Sequence, residues 1–382
     1  MKRMARVMLF FVVICCVAAS FAAVVDFLKH GRHGSTHVVR SGGDGVSVGD
    51  GTESLPGVRA KSQKRRATRK KSRTNAKNPV RKSVFINQIV DHPALNETTR
   101  GIIDALADGG FVKNETADIR VESAQANSAL ASQISNKFVT QRCDVVVCVG
   151  TISAQSMVKY TAAGKAKMVF SSVTDPVGAG LVESLTRTDK NITGVSNFVK
   201  LEPQLDMMKK IQPNLRKLGI VYNAGEANSI SIIKKLGAIA EQFNVIVVKQ
   251  AVTKTSDITQ ALAKIVPNVD AVFISNDNTA LSCLSSIIAV CNGANIPVYV
   301  SDTDAVYLGA LAALGPNQYS IGRQTGVIVA KILNGESVAN LPVEFPGETE
   351  LFINLDAAKS LNISIPRDII SMATKTIESV RE

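Results

Sequence analysis

The feature that most constrains this chain is a short apolar run followed by a polar loop, which recurs along its length. The runs are rich in β-branched residues, which predicts buried strands, and most of the loops lead into a helical pattern. Six polar loops follow the runs, at 91–96, 151–156, 174–180, 224–229, 277–279 and 302–304. Repeated strand–helix units predict an α/β fold with parallel sheets that helices cover on both faces.

These units form two series of similar construction, so we expect two lobes that the chain crosses between more than once. Residues 83–197 and 315–336 are assigned to lobe 1, and residues 198–314 and 337–382 to lobe 2. The stretch 198–216 is expected to hold the first crossover, and 278–292 is expected to be one helix. Parallel sheets bind ligands at the carboxyl ends of their strands, so the six loops predict a binding site there.

Residues 1–25 have the composition of a signal peptide or membrane anchor. Three basic residues precede an apolar run from Val7 to Val25, and small residues near its end suit cleavage. The run is also long enough to span a bilayer as a retained anchor. A lipoprotein site at Cys15 or Cys16 is a third alternative. Positive charge before the run places the body of the protein outside the cytoplasm, in the periplasm or an equivalent space.

The net charge of +12 belongs to the N-terminal part of the chain. Lys and Arg outnumber Asp and Glu by 18 to 4 in residues 1–82, whereas the remainder carries 26 and 28. Residues 26–82 are therefore predicted to be a disordered basic linker. The linker acts either as a solvated spacer or as an adhesive segment for an anionic surface. The export signal and the absence of a helix-turn-helix pattern argue against a nucleic-acid partner.

The loops contain hydroxyls, amides and carboxylates but no nucleophile with a base and an orienting group, so an enzyme is not expected. The sequence has no phosphate-binding glycine motif, which predicts no nucleotide cofactor. The cysteines Cys143, Cys148, Cys283 and Cys291 are spaced too far apart for local disulfides and lack zinc-site spacing. We expect them to be small buried side chains, with neither a metal nor another cofactor bound.

An ordered set of motifs resembles the periplasmic substrate-binding proteins of ABC transporters with the type I fold, in the tryptophan- and tyrosine-associated branch. The motifs are DHPALNETTRGIIDAL, SSVTDPVGAGLVESL, NITGVSN, LGIVYNAGEANS, FISNDNTALS, GRQTGVIVAKILNGE and INLDAAKSL. The resemblance implies two Rossmann-like lobes joined by a multi-strand hinge, closure around an amino acid, aromatic or not, and docking on an inner-membrane permease. A periplasmic sensory domain is the alternative. The TISAQS loop and the DTDAVYLGA segment depart from the family pattern.

The candidate ligand-binding residues follow from what an amino acid needs. Its carboxylate suits a helix N-terminus, which predicts contacts with Thr151, Ser153 and Ala154 at the start of a helix. Its ammonium group needs a carboxylate, for which Asp277 is the first choice and Asp302 and Glu226 are alternatives. The other candidates, on the same loops, are His92, Pro93, Thr174, Asp175, Asn228, Ser229 and Asn278.

Overall fold

The computed structural model describes residues 81–186 and 191–378. The predicted signal or anchor at 1–25, and the predicted linker up to residue 80, lie outside these ranges. The described part contains two β-sheets, each with helices on both faces, and these sheets form the cores of two lobes. The two-lobed α/β fold that the sequence predicts is confirmed.

Lobe 1 is built on a sheet of five parallel strands in the order β2-β1-β3-β4-β5. The strands are β1 (Lys82–Gln88), β2 (Ala117–Ser123), β3 (Val145–Val149), β4 (Met168–Val173) and β5 (Ile192–Ser196). The helices that follow the first three strands are α1 (Pro93–Asp108), α2 (Ser128–Thr140) and α3 (Thr151–Ala162). The residues of β3, β4 and β5 are all buried, as expected for strands between two helical layers.

Lobe 2 is built on seven strands in the order β12-β11-β10-β9-β8-β6-β7. The strands are β6 (Lys217–Asn223), β7 (Ile246–Val252), β8 (Ala271–Ile274), β9 (Val298–Val300), β10 (Ala312–Gly315), β11 (Glu350–Asn354) and β12 (Lys375–Ile377). The helices are α4 (Leu201–Ile211), α5 (Ala227–Gln242), α6 (Ile258–Ile265), α7 (Asn278–Leu281), α8 (Leu284–Gly293), α10 (Leu355–Ser360) and α11 (Arg367–Met372). Only β10 and β11 pair in antiparallel fashion among the described strands.

Helix α9 (Gln318–Leu333) returns from lobe 2 to lobe 1 and packs closely against α1. This close approach requires glycine, because a Cβ on Gly322 would lie 2.0 Å from the carbonyl oxygen of Thr98. The chain remains with lobe 1 beyond the predicted boundary at residue 337, since Val338, Leu341 and Val343 belong to its core. The sequence missed this because these residues form no regular strand or long helix.

Two further differences concern lobe 2. The stretch 198–216, expected as a crossover, contains the 11-residue helix α4, whose apolar face packs into the lobe 2 core. The helix expected at 278–292 is broken at Cys283, whose φ of −113° and ψ of 14° separate α7 from α8. Cys148 and Cys291 are buried, Cys143 and Cys283 are partly buried, and all four thiols are free.

Candidate functional site

The carboxyl ends of the strands in both lobes carry an unusual concentration of buried polar side chains, and the two edges touch. The Nε2 atom of His92 in lobe 1 lies 3.5 Å from Oδ1 of Asn278 in lobe 2. On the other side of the cleft, Asp175 of lobe 1 accepts a hydrogen bond of 2.6 Å from Ser231 of lobe 2. Lys235 approaches the same carboxylate at 3.9 Å. The described structure is therefore closed around the cleft between the lobes.

His92 caps helix α1 and has a defined tautomer. Its Nδ1 atom accepts the backbone N–H of Leu95 at 3.5 Å, so the proton is on Nε2, which faces the amide oxygen of Asn278. Burial lowers the pKa of His92 to about 4, and the ring is neutral at pH 7. Pro93 occupies the first turn of α1 and is exposed, so it shapes the start of the helix rather than the cleft.

Thr151 is the first residue of α3, directly after β3. The preceding Gly150 has a φ of 94°, and a Cβ there would meet the side chain of Ile89 at 2.6 Å. No side chain caps this helix, so the backbone N–H groups of its first turn have no side-chain partner. The Thr151 hydroxyl is 1% exposed and has no hydrogen-bond partner among the described residues. A buried hydroxyl at an uncapped helix N-terminus suits an anionic ligand group.

The side chains of Ser153 and Ala154, also in the first turn of α3, are buried inside lobe 1. The Ser153 hydroxyl donates to Oδ1 of Asn87 on β1 at 3.2 Å, and Ala154 belongs to the lobe 1 core. Both are completely buried. Their side chains therefore support the sheet beneath the cleft, and the ligand contact expected from the sequence stays a prediction. The helical turn places residue 153 away from the edge that Thr151 occupies.

The loop after β4 serves the contact between the lobes. Asp175 Oδ1 accepts the N–H of Gly178 at 2.9 Å, which holds the turn, and Oδ2 faces Ser231 and Lys235. Partial burial opposes ionisation, but the bonds from Ser231 and Gly178 and the charge of Lys235 lower the pKa of Asp175. Thr174 donates to Oδ1 of Asn197, at the start of the crossover to lobe 2, at 2.9 Å.

Glu226 and Asp277 form a buried pair at the edge of lobe 2, and both carboxylates are occupied by protein donors. Asp277 caps α7 through Ala280 N–H at 2.7 Å, and it accepts Asn223 N–H and the Ser229 hydroxyl, each at 2.6 Å. Burial and the neighbouring Glu226 raise the pKa of Asp277. Asp277 thus caps α7 and accepts the hydroxyl of Ser229, and a ligand role for either residue stays a prediction.

Asp302 lies just after β9, and its carboxylate accepts fewer hydrogen bonds than that of Asp277. It is 4% exposed, and the hydrogen bond described for its carboxylate is a long one of 3.3 Å from Asp304 N–H. Burial, followed by the charge of Asp304, raises the pKa of Asp302 to about 7. A buried carboxylate with so few donors is costly to ionise unless a cation approaches it.

Two residues at the cleft edge were not identified as candidates from the sequence. The hydroxyl of Ser275, at the end of β8, is buried without a partner among the described residues. Ser172, in β4, has a φ of 54° where the register with β5 shifts, and its hydroxyl lies 3.2 Å from that of Thr98. A serine within an apolar strand gives no sequence signal for a left-handed backbone. Its position near a strand end is the one available clue.

Neither a metal site nor a membrane helix is seen in the described ranges. Residues 81–186 and 191–378 contain no cluster of three or more His, Cys, Asp or Glu side chains that could hold a metal ion. No helix within these ranges is long and apolar enough to cross a bilayer.

Comparison with known proteins agrees with this architecture. A curated tyrosine-binding protein from Clostridioides difficile is 31% identical over 319 residues, which cover 84% of this chain and 89% of the relative. The crystal structure of an ABC domain in complex with L-Trp from Streptococcus pneumonia is 29% identical, with a TM-score of 0.75, covering 78% of this chain and 100% of that one.

A ligand-free, open substrate-binding protein with adhesive properties from Clostridium difficile is 30% identical at the same coverages, with a TM-score of 0.60. The lower score at similar identity is consistent with the contacts across the cleft, which make this structure more like the complex than the open form. The proteins of these comparisons bind substrates and are not enzymes. The model of the ABC transporter substrate binding protein family matches residues 83–377, and the chain belongs to this family.

Proposed function

We propose that this protein is the extracytoplasmic component of an ABC importer that captures one amino acid, with tyrosine and tryptophan the first candidates. The observation that carries the proposal is a buried hydroxyl without a hydrogen-bond partner at the strand ends of lobe 1, together with a buried carboxylate that accepts one long hydrogen bond at the strand ends of lobe 2. Thr151 offers a hydroxyl at an uncapped helix N-terminus in lobe 1, and Asp302 offers a buried carboxylate in lobe 2. A zwitterion has the complementary charges.

The ligand carboxylate is assigned to the N-terminus of α3. Its first-turn N–H groups and the Thr151 hydroxyl are donors, and the helix dipole favours a negative charge. The interaction needs no lysine or arginine. Lys235, the cation described at the cleft edge, approaches Asp175 of the loop after β4.

The ligand ammonium group is assigned to Asp302 in preference to Asp277. Asp277 already accepts three short hydrogen bonds, from Asn223, Ser229 and Ala280, and a ligand would have to displace one of them. Asp302 accepts one long bond and has unused acceptor capacity. An ammonium group would supply the opposite charge that a buried carboxylate requires.

Relatives support the class of ligand, because one is a tyrosine-binding protein and another was crystallised with L-Trp. Family membership supports docking of the closed form on a permease served by a separate ATPase. The predicted segment at 1–25 would export the chain or hold it at the membrane, and the basic linker up to residue 80 would act as a tether.

The absence of tryptophan from the chain makes a direct test simple. The full chain is titrated with L-tryptophan while the indole fluorescence of the ligand is followed. Melting temperatures are recorded with L-tyrosine, other amino acids, ribose and adenosine. A ligand at 100 times its Kd should stabilise the protein by about 2.7 kcal/mol. Stabilisation by ribose or adenosine, and by no amino acid, would refute the proposal.

A variant tests the assignment of the ligand ammonium group to Asp302. Asp302→Asn should weaken binding of the amino acid about tenfold or more, since it removes a charge-assisted bond to the ammonium group. Ser132→Ala serves as a control, because it removes an exposed helix hydroxyl of lobe 1 that bonds only to Ser128 O. Equal affinities for Asp302→Asn and the control would remove Asp302 from the site.

A further inference from the structure

We propose that Glu226 is a positioning residue that turns two asparagine amides so that their carbonyl oxygens face the cleft, and that the oxygen of Asn228 accepts an N–H of the ligand. This inference rests on the proposed function, since it assigns a second acceptor for the ammonium group. It gives a role to a buried carboxylate that the ligand itself does not touch.

Glu226 is 1% exposed and is surrounded by donors. Its Oε1 accepts the N–H and the hydroxyl of Thr279 at 3.0 and 2.7 Å. Its Oε2 accepts the Asn278 N–H at 3.0 Å and the side-chain amides of Asn278 and Asn228 at 2.8 and 3.1 Å. Five donors leave this carboxylate little capacity for a ligand, so its contribution is to fix the groups around it.

The orientation of the Asn228 amide follows from these contacts. Its Nδ2 donates to Glu226 and also to the carbonyl oxygen of Asn276 at 2.7 Å. A flipped amide would set Oδ1 against two acceptors, which is unfavourable. Oδ1 is therefore held on the other side, where it is buried and has no hydrogen-bond partner among the described residues. An unpaired buried acceptor is costly, and a donor on the ligand would satisfy it.

The Asn278 amide is oriented in the same way, but its carbonyl oxygen already has a partner. Glu226 holds its Nδ2, and its Oδ1 faces the protonated Nε2 of His92 from lobe 1. One carboxylate thus orients two amides. The oxygen of Asn278 meets His92 when the lobes close, and that of Asn228 remains for the ligand.

The test compares L-tryptophan with its des-amino analogue, indole-3-propionic acid, in the full chain by titration of indole fluorescence. Glu226→Gln can place an amide N–H against Nδ2 of Asn228, which removes the preference for one amide orientation. We expect the wild-type preference for L-tryptophan over the analogue to fall about tenfold in Glu226→Gln. Asn228→Leu, which has a similar shape without the acceptor, should lose the preference as well.

Asp270→Asn is the matched control. Asp270 is a carboxylate of the same lobe that accepts two backbone N–H bonds, from Arg216 and Lys217, at the opposite ends of the strands. It should keep the wild-type preference. The proposal is overturned if Glu226→Gln weakens both ligands equally, if the control loses the preference to the same extent, or if Asn228→Leu retains it. If wild-type protein binds none of the amino acids tested, the proposed function itself is refuted.

Discussion

Removal of the Ser231 hydroxyl should destabilise the closed form selectively. Ser231 donates to Asp175 across the cleft at 2.6 Å, and this bond cannot persist when the lobes separate. A hydrogen bond to a charged group contributes about 1.5–3 kcal/mol. The Asp175 side chain is 26% exposed, so solvent screening reduces our expectation to about 1 kcal/mol. That corresponds to an approximately fivefold loss in the ratio of closed to open protein.

The change should appear in ligand binding mainly as faster dissociation, because the bound form must open to release its ligand. Stopped-flow release of L-tryptophan measures this rate, and energy transfer between dyes on the two lobes measures closure. Ser132→Ala is again the control, since it removes a hydroxyl from lobe 1 without affecting the cleft. Release and closure within experimental error of the control would show that the Asp175–Ser231 bond does not hold the lobes together.

Three further predictions concern charge, the helix N-terminus and packing. The pKa of Asp302 is raised from 3.8 to about 7, so ligand-free protein should lose stability as pH rises from the lower value towards the higher one. Affinity for an amino acid should increase as the carboxyl ionises near pH 7, and calorimetry should find both trends flattened in Asp302→Asn. Thr151→Val should weaken amino-acid binding about fivefold with little change in melting temperature, whereas unchanged binding would exclude its hydroxyl from the site. Gly322→Ala should destabilise the protein by about 1–3 kcal/mol in urea unfolding, because its Cβ would lie 2.0 Å from Thr98 O, and Gly293→Ala, which meets nothing within 4 Å, should not.

The strands and helices could be predicted from the sequence because each is encoded by local periodicity and by the residues that cap it. Asp277 shows where such reasoning stops. An aspartate between a strand and a helix has the same sequence signature whether it caps the helix or binds a ligand. The bonds from Asn223 and Ser229 occupy the carboxylate of Asp277, and they come from a different strand–helix unit. Asp302 has the same local signature, and only its environment distinguishes it.

The orientation of the Asn228 amide is also beyond prediction from the local sequence, because it depends both on Glu226 and on the carbonyl oxygen of Asn276. Nothing in the tripeptide Glu226–Ala227–Asn228 indicates which amide atom will face the cleft. The position of the site at the strand ends is therefore a property of the fold class, whereas the polarity of each group is a property of tertiary contacts.

The close packing of α9 on α1 has a consequence for how the chain acquires its structure during synthesis. The strands of lobe 1 emerge from the ribosome first, but the groove beside Gly101 can be filled only by α9, which emerges after most of lobe 2. Contacts so distant in sequence form slowly. The half of the protein that is translated first is thus completed late, and until then it exposes an apolar surface to aggregation or to chaperones.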